Sequence, residues 1–230
     1  MLVKKYWVTL GEAYDIRKGS SMASIINAGH AEREMGMCFA SKKALACEEL
    51  IPFSEELLRR TKNTYTLVLD FGKSILEMRG LQPERFQANQ YGFFTWDCSD
   101  PYLHQTETPT WRLIRNKPLF TARKPYRKYD LKSQLQLISQ YRYVPNARQL
   151  VNFLLLAGPY NESWNEYCHK SIRTASDDYT IGINTERESR SNCKGKEYGE
   201  NIIRISRVHP IANVDNGIAS AYKPLPSPQP

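Results

Sequence analysis

The run LVNFLLLAG at residues 150–158 constrains the fold more than any other part of this chain, because nearly every position in it is apolar. A helix that is apolar around its whole circumference has to be covered on all sides. A membrane span requires about 18 uninterrupted apolar residues, and this run has about half that length. Asn146 is a favourable N-cap, and Gly158 followed by Pro159 is typical of a helix end. We therefore expect a buried helix inside a soluble domain.

The remaining patterns predict an α+β fold with mixed or antiparallel sheets and a central run of helices. Their order is strands, helices, strands, helices, strands, without the regular alternation of parallel α/β folds. The predicted strands are residues 4–11, 65–72, 91–97, 111–115, 177–184 and 200–208. The predicted helices are residues 41–50, 54–62, 131–143, 147–158 and 162–172. Because the junctions FASK at Phe39 and FTAR at Phe120 are similar, two degenerate strand-strand-helix units are an alternative description.

The same patterns suggest a division of the chain into two parts and a tail. Residues 1–125 form an N-terminal α+β part, and residues 126–214 contain the helical run and a C-terminal strand pair. A single continuous domain over residues 1–214 is the alternative. Residues 215–230 end in PLPSPQP, and such a proline-rich tail is expected to be extended or disordered.

Several classes of chemistry lack their sequence signatures. The five cysteines are scattered and contain no CxxC pair, which favours free thiols in a reducing cytoplasm and gives no support to a zinc site. The phosphate-binding motifs GxxxxGK[ST] and GxGxxG are absent, and so is the GxSxG motif of hydrolases. We therefore predict a cytoplasmic protein without a cofactor or a structural metal.

Positive charge is concentrated in residues 111–148. This segment has ten Lys and Arg residues and only Asp130 as an acid, a net charge of +9, whereas the whole chain carries +8. The rest of the chain is therefore close to neutral. A localised excess of one sign attracts polyanions, and the tyrosines and Trp111 interleaved with it could stack on bases.

These features predict a nucleic-acid-binding protein, with no basis for choosing DNA or RNA. The octet RKPYRKYD would lead into a helix N-terminus, whose amides also attract phosphate. The predicted contact residues are Arg112, Arg115, Lys117, Arg123, Lys124, Tyr126, Arg127, Lys128, Tyr129, Lys132, Arg142 and Arg148. The alternative is a solvated basic face with no such partner.

A second hypothesis is a metal-dependent nuclease or nucleic-acid-modifying enzyme. Asp97, Asp100, His104 and Glu107 lie within eleven residues and offer oxygen and imidazole ligands. Such ligands could hold a divalent ion that activates water for phosphodiester cleavage. The alternative is a polar turn, which Asp100 followed by Pro101 favours.

The stretch MGMCFASKKALACEEL resembles a motif of small phage and prophage proteins, Gly-x-x-Phe-x-Thr/Ser-Lys followed by a helix. Gly36, Phe39, Ser41, Lys42 and Ala44 occupy the motif positions. The resemblance implies a phage or mobile-element origin and carries no catalytic residue with it. It adds a third hypothesis, an anti-defence protein that binds a host immune protein or a ribonucleoprotein.

Overall fold

The computed structural model describes residues 7–20, 24–35, 42–86, 101–119, 136, 138, 140–157, 167, 172–174, 180–191, 197–208 and 217–226. The helices in these ranges are α1 (Leu10–Arg17), α2 (Ala28–Met35), α3 (Lys42–Glu48), α4 (Glu55–Thr61), α5 (Ile75–Leu81), α6 (Pro101–His104) and α7 (Ala147–Ala157), with a 3-10 helix at Pro83–Arg85. The strands are β1 (Val8–Thr9), β2 (Ile25–Ile26), β3 (Leu50–Ile51), β4 (Tyr65–Asp70), β5 (Thr110–Arg115), β6 (Arg142–Tyr143), β7 (Ile172–Arg173), β8 (Thr180–Ser191), β9 (Glu197–Val208), β10 (Gly217–Ile218) and β11 (Ala221–Tyr222).

A five-stranded sheet in the order β2-β4-β5-β11-β6 forms the centre of the fold. Every residue of β4 is buried, and β4 pairs antiparallel with β5 from Tyr65 opposite Arg115 to Asp70 opposite Thr110. β2 lies parallel to β4, whereas β11 runs antiparallel to both β5 and β6. The predicted α+β class with mixed sheets is therefore confirmed.

Helices cover both faces of this sheet. Paired residues of an antiparallel ladder share a face, and successive residues alternate between faces. On one face Trp111 donates from Nε1 to the Cys47 carbonyl of α3, at 3.1 Å. On the opposite face Arg148 of α7 donates to Asp70, at 2.7 Å. All eleven residues of α7 are buried, as its apolar sequence predicts.

A second sheet has the order β10-β7-β8-β9 and contains a long hairpin. The β8–β9 ladder runs from Thr180 opposite Val208 to Ser191 opposite Glu197. The two predicted strands are present, but residues 185–191 and 197–199, which were predicted to be loop, continue the ladder. Backbone pairing supports such an extension even where the sequence is polar, because each ladder residue contributes main-chain hydrogen-bonding groups.

The predicted N-terminal strand, residues 4–11, gives way to a helix before its expected end. Within its described part, Val8 and Thr9 pair with β3, and α1 begins at Leu10. Thr9 caps this helix, since its Oγ1 accepts a hydrogen bond from the Glu12 amide while the Glu12 carboxylate accepts one from the Thr9 amide at 2.8 Å. This reciprocal capping box satisfies two amide groups that the first turn leaves without helical partners.

The tail from residue 215 was expected to be extended or disordered, and residues 217–226 are ordered, with extended strands at Gly217–Ile218 and Ala221–Tyr222. Ala221 and Tyr222 form β11 between β5 and β6, and Ala219, Ser220 and Ala221 are fully buried. These small residues precede the prolines and fit a crowded central position in the sheet. The tail therefore completes the core instead of leaving it.

The prediction of a helix over residues 131–143 was wrong at its C-terminal end. Arg142 and Tyr143 form strand β6, because they pair with Tyr222 and Ala221. The rest of that segment lies largely outside the described residues. So do the predicted strand at 91–97, most of the predicted helix at 162–172, the boundary near residue 125, and the residues Phe39 and Phe120.

None of the helices in the described ranges combines the length and apolar composition that crossing a bilayer requires.

Candidate functional site

A cavity of about 890 Å³ lies beside the edge of the central sheet, between β6, the C-terminal residues and α4. Tyr65 and Arg115 occupy the end of the β4–β5 ladder there, and Tyr222 lies on the neighbouring strand. Leu57, on α4, provides part of the opposite wall. The residues around the cavity are Ser54, Glu56, Leu57, Arg60, Thr61, Thr64, Tyr65, Arg115, Gln140, Tyr141, Arg142, Tyr222, Lys223, Pro224 and Leu225.

Four cationic side chains and one carboxylate surround this cavity. The four come from different elements: Arg60 from α4, Arg115 from β5, Arg142 from β6 and Lys223 from the segment after β11. The carboxylate is Glu56, so the formal charge of the lining is +3. Charges of one sign that converge on a concave surface give a stronger local potential than the same charges spread over a convex one.

Three tyrosines line the same cavity. The Tyr65 and Tyr222 rings are 5.0 Å apart between centroids and tilted by 51°. The Arg142 guanidinium lies over the Tyr222 ring, 5.1 Å from its centroid, and its Nη2 donates to the Tyr222 hydroxyl at 3.2 Å. Burial raises the pKa of Tyr65, and the positive charge of Arg142 offsets part of that rise. By contrast, Tyr141 is 68% exposed, so its ring is accessible.

The C-terminal segment closes one side of the cavity through main-chain hydrogen bonds. The Lys223 amide donates to the Tyr141 carbonyl at 3.1 Å, and the Leu225 amide donates to the Pro52 carbonyl at 2.8 Å. These two bonds hold the main chain of residues 223–225 against Tyr141 and Pro52.

A buried ionic cluster lies on the opposite face of the sheet. Arg148 donates to both carboxylate oxygens of Asp70, from Nη1 at 2.8 Å and from Nη2 at 2.7 Å. Arg112 donates to Asp70 from Nε at 3.0 Å, and the Gly72 amide also donates to it at 3.0 Å. Asp70 and Arg148 have side chains only 1% exposed. Each charge is therefore compensated inside the protein.

Glu107 is the second carboxylate of this cluster. It accepts hydrogen bonds from Asn146 at 2.7 Å and from Gln149 at 2.9 and 3.0 Å. It also forms ion pairs with Arg112 and, at 2.9 Å, with Arg148. Two arginines and two carboxylates make the cluster formally neutral.

The surroundings of both carboxylates lower their pKa values. Burial raises the pKa of Asp70, but the hydrogen bonds and charge of Arg148, with the charge of Arg112, outweigh it, so the pKa lies below the usual range. Burial likewise raises the pKa of Glu107, and the Gln149 hydrogen bond together with the Arg148 charge brings it below its ordinary value. Both groups remain ionised near neutral pH.

The structure divides the predicted nucleic-acid-binding residues into three groups. Arg115 and Arg142 line the cavity together, and Lys117 is exposed elsewhere on the surface. Arg112 and Arg148 belong to the ionic cluster, so their assignment to a phosphate-binding surface was wrong: carboxylates already neutralise them, and Arg148 is buried. The others lie outside the described residues: Arg123, Lys124, Tyr126, Arg127, Lys128, Tyr129 and Lys132.

The predicted metal-binding loop gains no support from the part of the chain that the structure describes. Asp97 and Asp100 lie outside it, and His104 is exposed at the end of α6. Glu107 was expected as a ligand, but its oxygens are engaged by the amides and arginines of the ionic cluster. No group of three potential metal ligands comes together among the described residues.

Sequence reasoning missed half of the cationic lining and two of its tyrosines. Arg60 belongs to the helix predicted at residues 54–62, Tyr65 to the strand predicted at 65–72 and Lys223 to the predicted tail, and none of them was predicted as a contact residue. Tyr222 is adjacent to Lys223 and was not singled out. A local signal for Arg60 exists, because it lies one turn after Glu56 on the exposed side of α4, but nothing in the sequence indicates that it faces residues 223–225.

Comparisons with known proteins add no relative: the chain matches no family model, no curated protein and no solved structure.

Proposed function

We propose that this protein binds nucleic acid, and that the cationic cavity beside β6 is part of its binding surface. The observation that carries the proposal is the convergence of Arg60, Arg115, Arg142 and Lys223 around one concave site. Phosphate contacts supply most of the affinity in nucleic-acid binding, and arginines are well suited to them because the guanidinium can donate two hydrogen bonds to one phosphate.

The tyrosines in the same cavity support nucleic acid over a simple inorganic anion. Surfaces that bind single strands combine a basic groove with aromatic rings on which bases stack. Here the exposed ring of Tyr141 lies beside Arg142, and Tyr222 lies under the Arg142 guanidinium. Both kinds of contact are therefore available within the length of one or two nucleotides.

A cytoplasmic location and a phage or mobile-element origin are part of the same proposal and stay predictions. Neither the anti-defence hypothesis nor the nuclease hypothesis gains a specific observation from the described residues. The ionic cluster does not serve the nuclease hypothesis, because its two carboxylates are saturated by arginine and amide donors.

The test compares two neighbouring arginines of α4. Arg60 lines the cavity, whereas Arg59 lies outside it, 67% exposed and paired with Glu55. Arg60→Gln and Arg59→Gln remove the same charge from the same helix turn. Fluorescence anisotropy with labelled single-stranded DNA, single-stranded RNA and duplex DNA, each across a salt series, should show weaker binding for Arg60→Gln than for Arg59→Gln.

The salt dependence provides a second readout. Neutralising one phosphate on a single strand contributes about 0.7 to the slope of log K against log salt concentration. Loss of one phosphate contact in Arg60→Gln should reduce the slope by about that amount, and Arg59→Gln should leave it unchanged. Equal effects of the two variants would exclude the cavity as the binding site, and the absence of binding to all three nucleic acids would reject the proposal.

A further inference from the structure

We infer that the cavity takes a single unpaired nucleotide, with the base against tyrosine and the phosphate against the cations, so that the protein prefers single strands or unpaired ends to duplexes. This inference rests on the proposed function, since it specifies how the same site would engage nucleic acid. It goes further by requiring insertion of a base, which a basic surface alone does not require.

The size of the cavity is the first argument. Pockets that enclose whole small ligands have volumes of about 300–1,000 Å³. The cavity beside β6, at about 890 Å³, lies within that range. A surface that reads only the phosphate backbone of a duplex does not require a concavity of this size.

The chemistry of the walls is the second argument. Leu57 and Leu225 provide apolar walls, and the cations are distributed among them. Tyr65 and Tyr222 add aromatic edges with only 4% and 9% of their surfaces exposed, whereas Tyr141 is 68% exposed. An apolar and aromatic interior suits the flat face of a base, whereas the arginines suit the phosphate that follows it along the chain. The exposed Tyr141 ring would stack on the inserted base or on the next one.

Duplex nucleic acid is poorly suited to inserting a base into this cavity. Its bases are paired and stacked inside the helix, so taking one into a protein cavity requires that the base be flipped out, at a cost in free energy. An unpaired nucleotide avoids that cost. The structure therefore favours a single strand, a loop or a frayed end as the ligand.

The experiment uses the full chain with three probes: labelled oligothymidylate, labelled oligouridylate and a labelled blunt GC-rich duplex annealed from two strands, which has no loop. The variants are Tyr141→Ala, which removes the exposed ring, and Tyr141→Phe, which keeps it. Loss of one stacked base weakens binding by about 5- to 150-fold, so Tyr141→Ala should bind the single strands that much less tightly. Tyr141→Phe should bind them as the wild type does, and the duplex should bind weakly to all three proteins.

Competition with small molecules separates base insertion from phosphate binding. Adenosine 5′-monophosphate should displace oligothymidylate at lower concentration than inorganic phosphate does, because it fills both parts of the cavity. Equal potency of the two would overturn the inference.

The outcomes also separate this inference from the proposed function. If the duplex binds as tightly as the single strands and Tyr141→Ala has no effect, while Arg60→Gln still weakens binding, then nucleic-acid binding stands and base insertion is wrong. If none of the three probes binds, both are wrong.

Discussion

At the scale of single residues, Asp70 is the charge on which the interior most depends. It ends a fully buried strand, and its two oxygens accept hydrogen bonds from two arginines and one backbone amide. The main-chain conformation that follows Asp70 is equally constrained. Gly72 has φ +73° and its carbonyl accepts a hydrogen bond from the Glu107 amide at 3.0 Å. The hydrogen bonds of Asp70 and the turn at Gly72 together hold residues 105–109 against the end of β4.

Replacing Asp70 by alanine should destabilise the protein strongly. Removal of one partner from a buried ion pair leaves the other charge uncompensated, at a cost of about 3–5 kcal/mol. Urea unfolding followed by circular dichroism measures this difference. The control is Glu55→Ala, which removes the carboxylate from an exposed pair with Arg59 and should cost less than about 1 kcal/mol. Equal effects of the two substitutions would contradict the assignment of Asp70 to a buried cluster.

The same carboxylates predict how stability depends on pH. The folded-state pKa values of Asp70 and Glu107 lie below their usual values, so their contribution is fully present above the unfolded pKa, about 4. It is lost as the pH falls through the folded values. The unfolding free energy should therefore decrease below about pH 4, and Asp70→Asn should show a smaller decrease. An unchanged acid slope in Asp70→Asn would contradict this explanation.

Gly72 and Gly80 offer a matched pair of substitutions with opposite signs. At Gly72 an alanine would combine a positive φ with overlap between its Cβ and the Glu107 carbonyl oxygen, and the strained φ alone costs about 1–3 kcal/mol. Gly80 lies in α5, and no neighbouring segment comes within 4 Å of the place that an alanine methyl group would occupy. Gly80→Ala should therefore stabilise the helix by about 0.5–1 kcal/mol. Thermal unfolding of both variants tests these signs, and a stable Gly72→Ala would show that the 105–109 segment can shift.

At the scale of elements, local signals predicted a good part of the fold. Ser54 caps α4 by accepting a hydrogen bond from the Leu57 amide, and Asn146 accepts one from the Gln149 amide at the start of α7. Both helices were predicted, over residues 54–62 and 147–158, and Asn146 was predicted as the N-cap of the second. Strand β4 was expected from its apolar and β-branched residues, which suit a buried strand.

Other elements were missed because their stability comes from distant contacts. Helix α1 contains Gly11 and has little amphipathic pattern, and the only local signal for it is the capping box of Thr9 and Glu12. Its last residue, Arg17, is buried and donates to the carbonyls of Leu58, Lys62 and Tyr65. Burial lowers the pKa of Arg17 to about 10. An arginine that bonds the carbonyls at the end of α4 cannot be recognised from residues 10–17 alone.

The candidate site was the least predictable part, for the same reason. The charge excess in residues 111–148 predicted Arg115 and Arg142 as contact residues. It did not distinguish them from Arg112 and Arg148, which form ion pairs with the carboxylates of the ionic cluster. The distinction depends on Asp70, which is 78 residues from Arg148 in sequence. Successive residues of β5 alternate between the two faces of the sheet, so Arg112 and Arg115 lie on opposite faces. Their different roles depend on the residues that each arginine contacts on its own face.

At the scale of the whole molecule, the C-terminal segment joins the two halves of the chain. β11 lies between β5 and β6, and the residues after it contact Tyr141 and Pro52 through main-chain hydrogen bonds. The sheet order therefore brings the end of the chain into the centre of the fold. The same segment contributes Lys223, Pro224 and Leu225 to the cavity, so folding and the proposed binding site depend on it together.

Deletion of residues 217–230 should therefore remove both the fold of the central sheet and nucleic-acid binding. β6 loses its partner β11, and the buried residues from Ala219 to Tyr222 no longer fill the space beside β5. A loss of more than about 3 kcal/mol would lower the melting temperature by at least about 6 °C in a chain of this size.

Lys223→Gln is the matched control, because it removes a cavity charge and keeps β11. This variant should melt as the wild type does and bind nucleic acid less tightly. Adding a peptide of residues 217–230 to the truncated chain should restore part of the melting transition, since a strand can be supplied in trans. A truncated chain that melts cooperatively at the wild-type temperature would show that β11 is dispensable for the sheet.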